Sequence, residues 1–115
     1  MSATGHATRH WRNQRVSAVA LVLLGGWFLF SLLSLPDPGF GSVRAWLAVP
    51  LQSALMLLFA WSALWHSAQG VQVVVDDYVP GAWHGRVRWA SRLLRLAAAL
   101  AAGASVWVLA QGAPV

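Results

Sequence analysis

The sequence contains no cysteine, no lysine and no glutamate, and only 10% of its 115 residues are charged. The lack of cysteine excludes disulfides, thiolate metal ligands and cysteine nucleophiles. A soluble domain has about 25% charged residues, so the shortage of charge indicates that lipid surrounds much of this chain. Apolar side chains take the place of charged ones and make up 58% of the sequence.

The few charges are strongly biased towards one sign. Eight arginines stand against three aspartates, which gives a net charge of +5. Such a balance can indicate a nucleic-acid partner. Here, however, the arginines cluster at the ends of apolar runs, which is typical of membrane proteins. We therefore predict a membrane protein that has no nucleic-acid partner.

The apolar runs predict three membrane-spanning helices, since one span needs about 20 residues. The predicted spans are about 16–35, 49–75 and 92–111. Pro36-Asp37-Pro38-Gly39 and Val79-Pro80-Gly81 separate them, because proline disfavours helix at its own position and at the preceding residue. Pro50 is acceptable in the first turn of the second helix. The sequence therefore predicts an all-α membrane protein with one anchor domain, 1–115.

The arginine distribution predicts the orientation, because positive charge collects on the cytoplasmic side. Arginines precede the first and third spans, at positions 9, 12 and 15 and at positions 86, 88, 92 and 95. We expect a cytoplasmic N-terminal segment, 1–15, and a C-terminus on the opposite side. A signal peptide is the rival interpretation of the first run. A retained span is favoured, because the run is long and no clear small-residue cleavage site follows it.

His66 is an ionisable residue inside the second predicted span. Such residues are costly in lipid and are functional-site candidates by default. A neutral imidazole offers one lone pair to a metal, while its N–H needs a partner. One histidine cannot form a metal site alone, but a haem iron shared by two chains needs only one ligand from each. A histidine that hydrogen-bonds between helices is the alternative, and both interpretations stay open at this point.

Asp77 and Tyr78 lie about 16 to 18 Å beyond His66 along the same helix. A tyrosine near the membrane boundary is ordinarily part of an aromatic belt, and an aspartate there ordinarily faces water. Together they also predict a phenol that donates to a carbonyl oxygen and a carboxylate that orients it or relays a proton. We expect Asp76 to be solvated, and we assign no chemistry to His84, nor to the histidines at positions 6 and 10.

Three smaller features accompany these residues. Arg15, at the cytoplasmic start of the first span, is a topology signal, and at this depth it could also pair with the carboxylate of a cofactor. Ser17 lies beside it in the sequence. Gly70, one turn after His66, removes a side chain and would let a flat group approach the backbone.

These residues form two motifs that carry a family resemblance. Gln14-Arg15-Val16-Ser17-Ala18 opens the first helix, and His66-Ser67-Ala68-Gln69-Gly70 is followed by Asp77-Tyr78. In its motifs and its three predicted spans, nearly the whole chain resembles the hydrophobic membrane anchor subunit of succinate dehydrogenase, the smaller of the two anchors in that complex.

The resemblance implies specific roles for the candidate residues. A second membrane anchor, also of three helices, would hold a b-type haem together with this chain. His66 would supply one axial ligand to the haem iron, with Arg15 near the propionates and Ser17 as a further cofactor-binding candidate. Tyr78 would hydrogen-bond ubiquinone, with Asp77 beside it as part of the quinone site or as a proton relay.

The resemblance also implies partners and a location. The flavoprotein and iron–sulfur subunits would hold FAD and the iron–sulfur clusters, so this chain would be non-catalytic alone within a succinate:quinone oxidoreductase. We expect the bacterial cytoplasmic membrane rather than the mitochondrial inner membrane. One alternative is an anchor of a quinol:fumarate reductase. Another is a small non-redox assembly or transporter subunit, in which His66 only joins helices.

Overall fold

The computed structural model describes residues 3–111, and helices account for nearly all of them. The four helices are α1 (Ala3–Leu33), α2 (Phe40–Leu47), α3 (Pro50–Tyr78) and α4 (Gly81–Ala110). No strand occurs within this range. The predicted all-α fold is therefore confirmed.

The three long helices exceed the length that a bilayer requires. They contain 31, 29 and 30 residues, or about 44 to 47 Å at 1.5 Å per residue, against a hydrocarbon core of about 30 Å. Within the described residues, α1 and α4 are each long and apolar enough to span a membrane. α3 is long and apolar enough to span only when it is counted together with α2, from which it is bent by 97°. The fold thus has two candidate spans, or three if α2 and α3 form one broken span.

Proline-rich segments end the helices where the sequence predicts breaks. α1 ends before Pro36, and α3 begins with Pro50 in its first turn. In the first connection, the Asp37 carboxylate accepts hydrogen bonds of 2.8 Å from the Gly39 N–H and from the Ser42 hydroxyl. A Cβ atom at Gly39 would lie 2.6 Å from Oδ1 of Asp37, so a larger residue here would displace the carboxylate from this contact. The connection is therefore a defined turn that leads into α2.

The Asp37 carboxylate is stabilised in its charged form by these contacts. The Ser42 hydroxyl, followed by the Gly39 N–H, lowers the pKa of Asp37 from its ordinary value of 3.8. Both groups donate hydrogen bonds that favour the carboxylate over the neutral acid. The turn should consequently weaken in acid.

α3 is the central helix of the assembly. It packs against α1 on one side and α4 on the other, whereas no close approach of backbone joins α1 to α4 in residues 3–111. The α1–α3 contact includes Phe28 and Phe59, whose ring centroids are 5.3 Å apart. α2 contacts α3 and α4, and its Trp46 stacks on Trp27 of α1 at 5.5 Å.

The burial pattern is that of a protein whose apolar side chains face outwards. The buried apolar side chains in the described part of the chain are Leu47, Val75 and Val106. Large apolar side chains cover the outside of all three long helices. Contiguous exposed apolar surface on this scale is unusual in soluble monomers, which agrees with lipid or partner helices as the surroundings.

Candidate functional site

His66 is held by a hydrogen bond that joins two helices. Its Nδ1 atom on α3 lies 2.9 Å from the Oγ atom of Ser17 on α1. Ser17 is buried, with 7% of its surface exposed. The structure therefore brings together two of the candidate cofactor-binding residues, which are 49 positions apart in the sequence.

The hydroxyl of Ser17 lies between two groups, the imidazole of His66 and a backbone carbonyl. The Ser17 Oγ atom also lies 3.0 Å from the backbone oxygen of Gln14, to which it donates. A hydroxyl has one proton to give; when that proton goes to the Gln14 carbonyl, Ser17 accepts from His66 and the imidazole N–H is at Nδ1. The lone pair is then on Nε2, which has no hydrogen-bond partner among residues 3–111.

This geometry bears on both interpretations of the histidine. A hydrogen bond between α1 and α3 is what the packing interpretation predicts. The contact nevertheless uses only one ring nitrogen. An imidazole that donates from one nitrogen to a fixed acceptor and keeps a free lone pair on the other has the usual arrangement of a metal-ligating histidine. The site is therefore suited to ligation through Nε2.

Arg15 and His66 line the same groove between α1 and α3, which we call the His66 groove. Its volume is about 320 Å³, and it is lined by Trp11, Gln14, Arg15, Ala18 and His66. The guanidinium of Arg15 lies 5.5 Å from the ring centroid of Trp11. A cation and the imidazole of His66 thus border one space.

Gly70 leaves open space one turn along α3 from His66. A Cβ atom built at this position meets nothing within 4 Å apart from the local backbone. The packing of the described residues thus gives no reason for a glycine here. The space stays available to a flat group from outside the chain.

Asp77 and Tyr78 form a separate candidate site. Both are exposed, and 81% of the surface of Tyr78 is accessible. They lie in the last turn of α3, about 16 to 18 Å from His66 along the helix axis. The structure therefore does not bring these two residues together with His66 and Arg15.

A polar cluster that was not predicted from the sequence lies at the same end of α3. Asp76 is exposed, as predicted, but its Oδ1 atom accepts a hydrogen bond of 2.8 Å from Gln72. The same oxygen lies 2.9 Å from Nε2 of His84 and 3.7 Å from a guanidinium nitrogen of Arg88. His84, to which we assigned no chemistry, is thus a hydrogen-bond partner of Asp76. The four-residue spacing of Gln72 and Asp76 was the signal available in the sequence.

Gln69 is a buried polar residue that these contacts leave unsatisfied. It follows His66 by one turn, and its Oε1 atom has no hydrogen-bond partner among the described residues. Buried polar atoms in native proteins nearly always have a partner.

Residues 3–111 contain no group of three or more histidine, aspartate or glutamate side chains that could hold a metal ion. Any metal at His66 would therefore need ligands from elsewhere.

Comparison with known proteins identifies the family. The sequence profile of the succinate dehydrogenase/fumarate reductase transmembrane subunits matches residues 1–109. This chain belongs to that family. The resemblance that rests on the Arg15-x-Ser17 and His66-x-x-x-Gly70 motifs is thereby confirmed, and the chain is a membrane anchor subunit.

Individual relatives of this anchor subunit agree with the family match. The chain is 31% identical over 72 residues to a succinate dehydrogenase hydrophobic membrane anchor subunit of Rickettsia bellii, an alignment of 63% of this chain and 58% of the relative. It is 26% identical over 78 residues to the subunit of the same name from Rickettsia typhi, covering 68% and 62% of the two chains. The matched region thus spans about three fifths of each relative. No solved structure matches the chain.

Proposed function

We propose that this anchor subunit belongs to a succinate:quinone oxidoreductase, that it shares a b-type haem with a second anchor chain, and that it borders a quinone-reduction site. The observation that carries the proposal is the Ser17–His66 hydrogen bond, which engages Nδ1 and leaves Nε2 without a partner among residues 3–111. The family covers both succinate dehydrogenases and fumarate reductases. The relatives are named as succinate dehydrogenase anchors, and this favours succinate oxidation as the direction.

The residues of the His66 groove fit a haem. His66 offers a nitrogen lone pair, Arg15 offers a positive charge for carboxylates in the same groove, and the position of Gly70 is open. A haem held here supplies a one-electron redox centre whose potential depends on its ligands and surroundings. His66 would hold the iron. Ser17 would fix the tautomer and the orientation of the imidazole ring.

His66 would be a single ligand, so a further ligand to the haem iron would come from another chain. The described residues contain no cluster that could complete a metal site. A second anchor helix facing the His66 groove would supply the remaining ligand. It would also cover part of the apolar surface of α1 and α3, which this chain alone leaves exposed.

Asp77 and Tyr78 are proposed to serve the quinone at the end of α3. The Tyr78 phenol would donate a hydrogen bond to a quinone carbonyl oxygen. Asp77, next to it, would orient the phenol or pass a proton to it. The exposure of both residues leaves the other walls of the pocket to partner subunits. The electrons would come from an iron–sulfur subunit that receives them from a flavoprotein with FAD.

Co-purification tests the partners and the haem together. The tagged chain should be isolated from its native membrane in a mild detergent, and the reduced-minus-oxidised spectrum should be recorded. We expect a flavoprotein, an iron–sulfur protein, a second small anchor and a b-type spectrum, with succinate-dependent quinone reduction. A colourless preparation without a flavoprotein would reject the proposal in favour of a non-redox membrane subunit. Fumarate reduction that exceeds succinate oxidation would indicate the opposite direction.

A further inference from the structure

A second groove lies between α3 and α4, outside the His66 groove. Its volume is about 430 Å³. It is lined by Trp61, Leu64, Trp65, Ala68, Arg92, Arg95, Leu96 and Ala99. Six of these side chains are aromatic or aliphatic, and the two charged ones are both arginines. We call this space the α3–α4 groove.

The two arginines of the α3–α4 groove have no anionic partner in the part of the chain that the structure describes. Neither Arg92 nor Arg95 forms an ion pair within residues 3–111. The guanidinium of Arg92 lies instead on the ring of Trp89, 5.8 Å from its centroid. Charged side chains within membrane segments are costly and nearly always pair with another group. An anion from outside the chain would remove this cost.

The charged and the apolar side chains occupy different parts of the α3–α4 groove. Arg92 and Arg95 are three residues apart and therefore lie on one face of α4. Leu96 and Ala99 continue the groove beyond them, and no charged residue follows Arg95 in α4. On α3, Trp61 and Leu64 supply the opposite apolar wall. A ligand that matches both parts has an anionic head at the arginines and a long apolar tail along the remaining surface.

We propose that the α3–α4 groove binds an anionic phospholipid. The phosphate would lie between Arg92 and Arg95, since guanidinium groups bind phosphate oxygens in a fixed, paired geometry. An acyl chain would follow the apolar wall formed by Trp61, Leu64 and Leu96. Basic side chains at a membrane surface attract anionic lipids, and this groove adds an apolar channel to the charge.

Other arginines of α4 provide an internal comparison. Arg88 lies near Asp76 and so already has a carboxylate within 3.7 Å. Arg86 stacks on Trp83 at 5.0 Å, as Arg92 does on Trp89, but it does not line the groove. Arg86 therefore carries the same charge and a similar aromatic contact outside the proposed site, which makes it the matched control.

Lipid binding to the purified complex tests the proposal. The complex should be depleted of lipid, mixed with dioleoyl phosphatidylglycerol or dioleoyl phosphatidylcholine, and examined by native mass spectrometry. We expect retention of phosphatidylglycerol in preference to phosphatidylcholine, and about a 30-fold loss of that preference in the Arg92→Gln/Arg95→Gln variant. Arg86→Gln should bind as the unaltered complex does, and Arg92→Lys/Arg95→Lys should retain most of the binding, because the charges remain.

Several outcomes would overturn the proposal. Equal retention of the two lipids would show that the groove does not distinguish lipids by the charge of their headgroups. An equal loss in Arg86→Gln and in the double glutamine variant would show a diffuse surface effect. Complete displacement of the lipid by inorganic phosphate would indicate a simple anion site. A cross-link from a residue introduced at Leu96 to a partner protein, with no lipid bound, would assign the groove to that protein.

Discussion

The hydroxyl of Ser17 should control the affinity of the anchor for haem, although it is not itself a ligand. Ser17→Ala removes the only acceptor that the described chain offers to the Nδ1–H of His66. Ser17 is buried, with 7% of its surface exposed, so water replaces the lost acceptor poorly. A polar group left unsatisfied in such a place costs about 1–3 kcal/mol. The imidazole would then be free to rotate or to change tautomer.

The expected loss of haem affinity can be estimated from other metal-ligating histidines and their hydrogen-bond partners. Their removal typically lowers metal affinity by about 10- to 100-fold. We therefore expect the Ser17→Ala complex to assemble with a reduced haem content. The remaining haem should be lost at about 10- to 100-fold lower concentrations of a competing haem acceptor. The assay is the b-type absorbance per flavin during titration with that acceptor.

Two variants separate hydrogen bonding from general damage. Ser17→Thr keeps a hydroxyl that can bond both to the histidine and to the backbone carbonyl of the preceding turn, and it should retain haem. Ser67→Ala removes a hydroxyl of α3 that is bonded to the backbone oxygen of Ala63, and it should have no effect. Haem affinity of Ser17→Ala within twofold of the unaltered complex would refute the orientation argument.

Three further predictions concern separate features. Tyr78→Phe should lower quinone reduction by about 2- to 10-fold with an unchanged haem spectrum; unaffected kinetics would exclude the hydrogen bond. Gly70→Ala should reduce haem incorporation by filling the open space, whereas Gly26→Ala, also open, should not; equal effects would contradict the approach of a flat group. The pKa of Asp37 is lowered first of all by Ser42, so the turn is fully stabilised above about pH 4 and loses this contribution as pH falls through the folded pKa. Hydrogen exchange of segment 34–42 should show this loss, and an Asp37→Asn variant with the same pH dependence would contradict it.

The sequence predicted the features that depend on local chemistry. Proline fixed the ends of α1 and α3, because it acts within one or two residues of its position. The motif around Arg15 and Ser17 and the one around His66 pointed to one site, and the structure places Ser17 and His66 in hydrogen-bond contact. The chemistry at that site, and the roles of Asp77 and Tyr78, stay predictions.

The features that the sequence did not predict depend on tertiary contacts. α2 is only eight residues long, and its Trp46 packs on Trp27, a contact without a local signal. α4 begins at Gly81, eleven residues before the predicted span, because an apolar run locates the lipid-facing part of a helix and not its end. The contact between Asp76 and His84 followed from that early start, since it brings His84 back against α3.

His66 is proposed to bind the haem iron through its Nε2 atom. The most direct measurement is the reduced-minus-oxidised spectrum of the purified His66→Ala complex, with the partner proteins quantified in the same sample. We predict that the b-type spectrum is lost, or is altered because the ligation of the iron has changed. The flavoprotein and iron–sulfur subunits should stay attached. An assembled complex with an intact b-type spectrum and unchanged ligation would contradict the claim and assign His66 to helix packing.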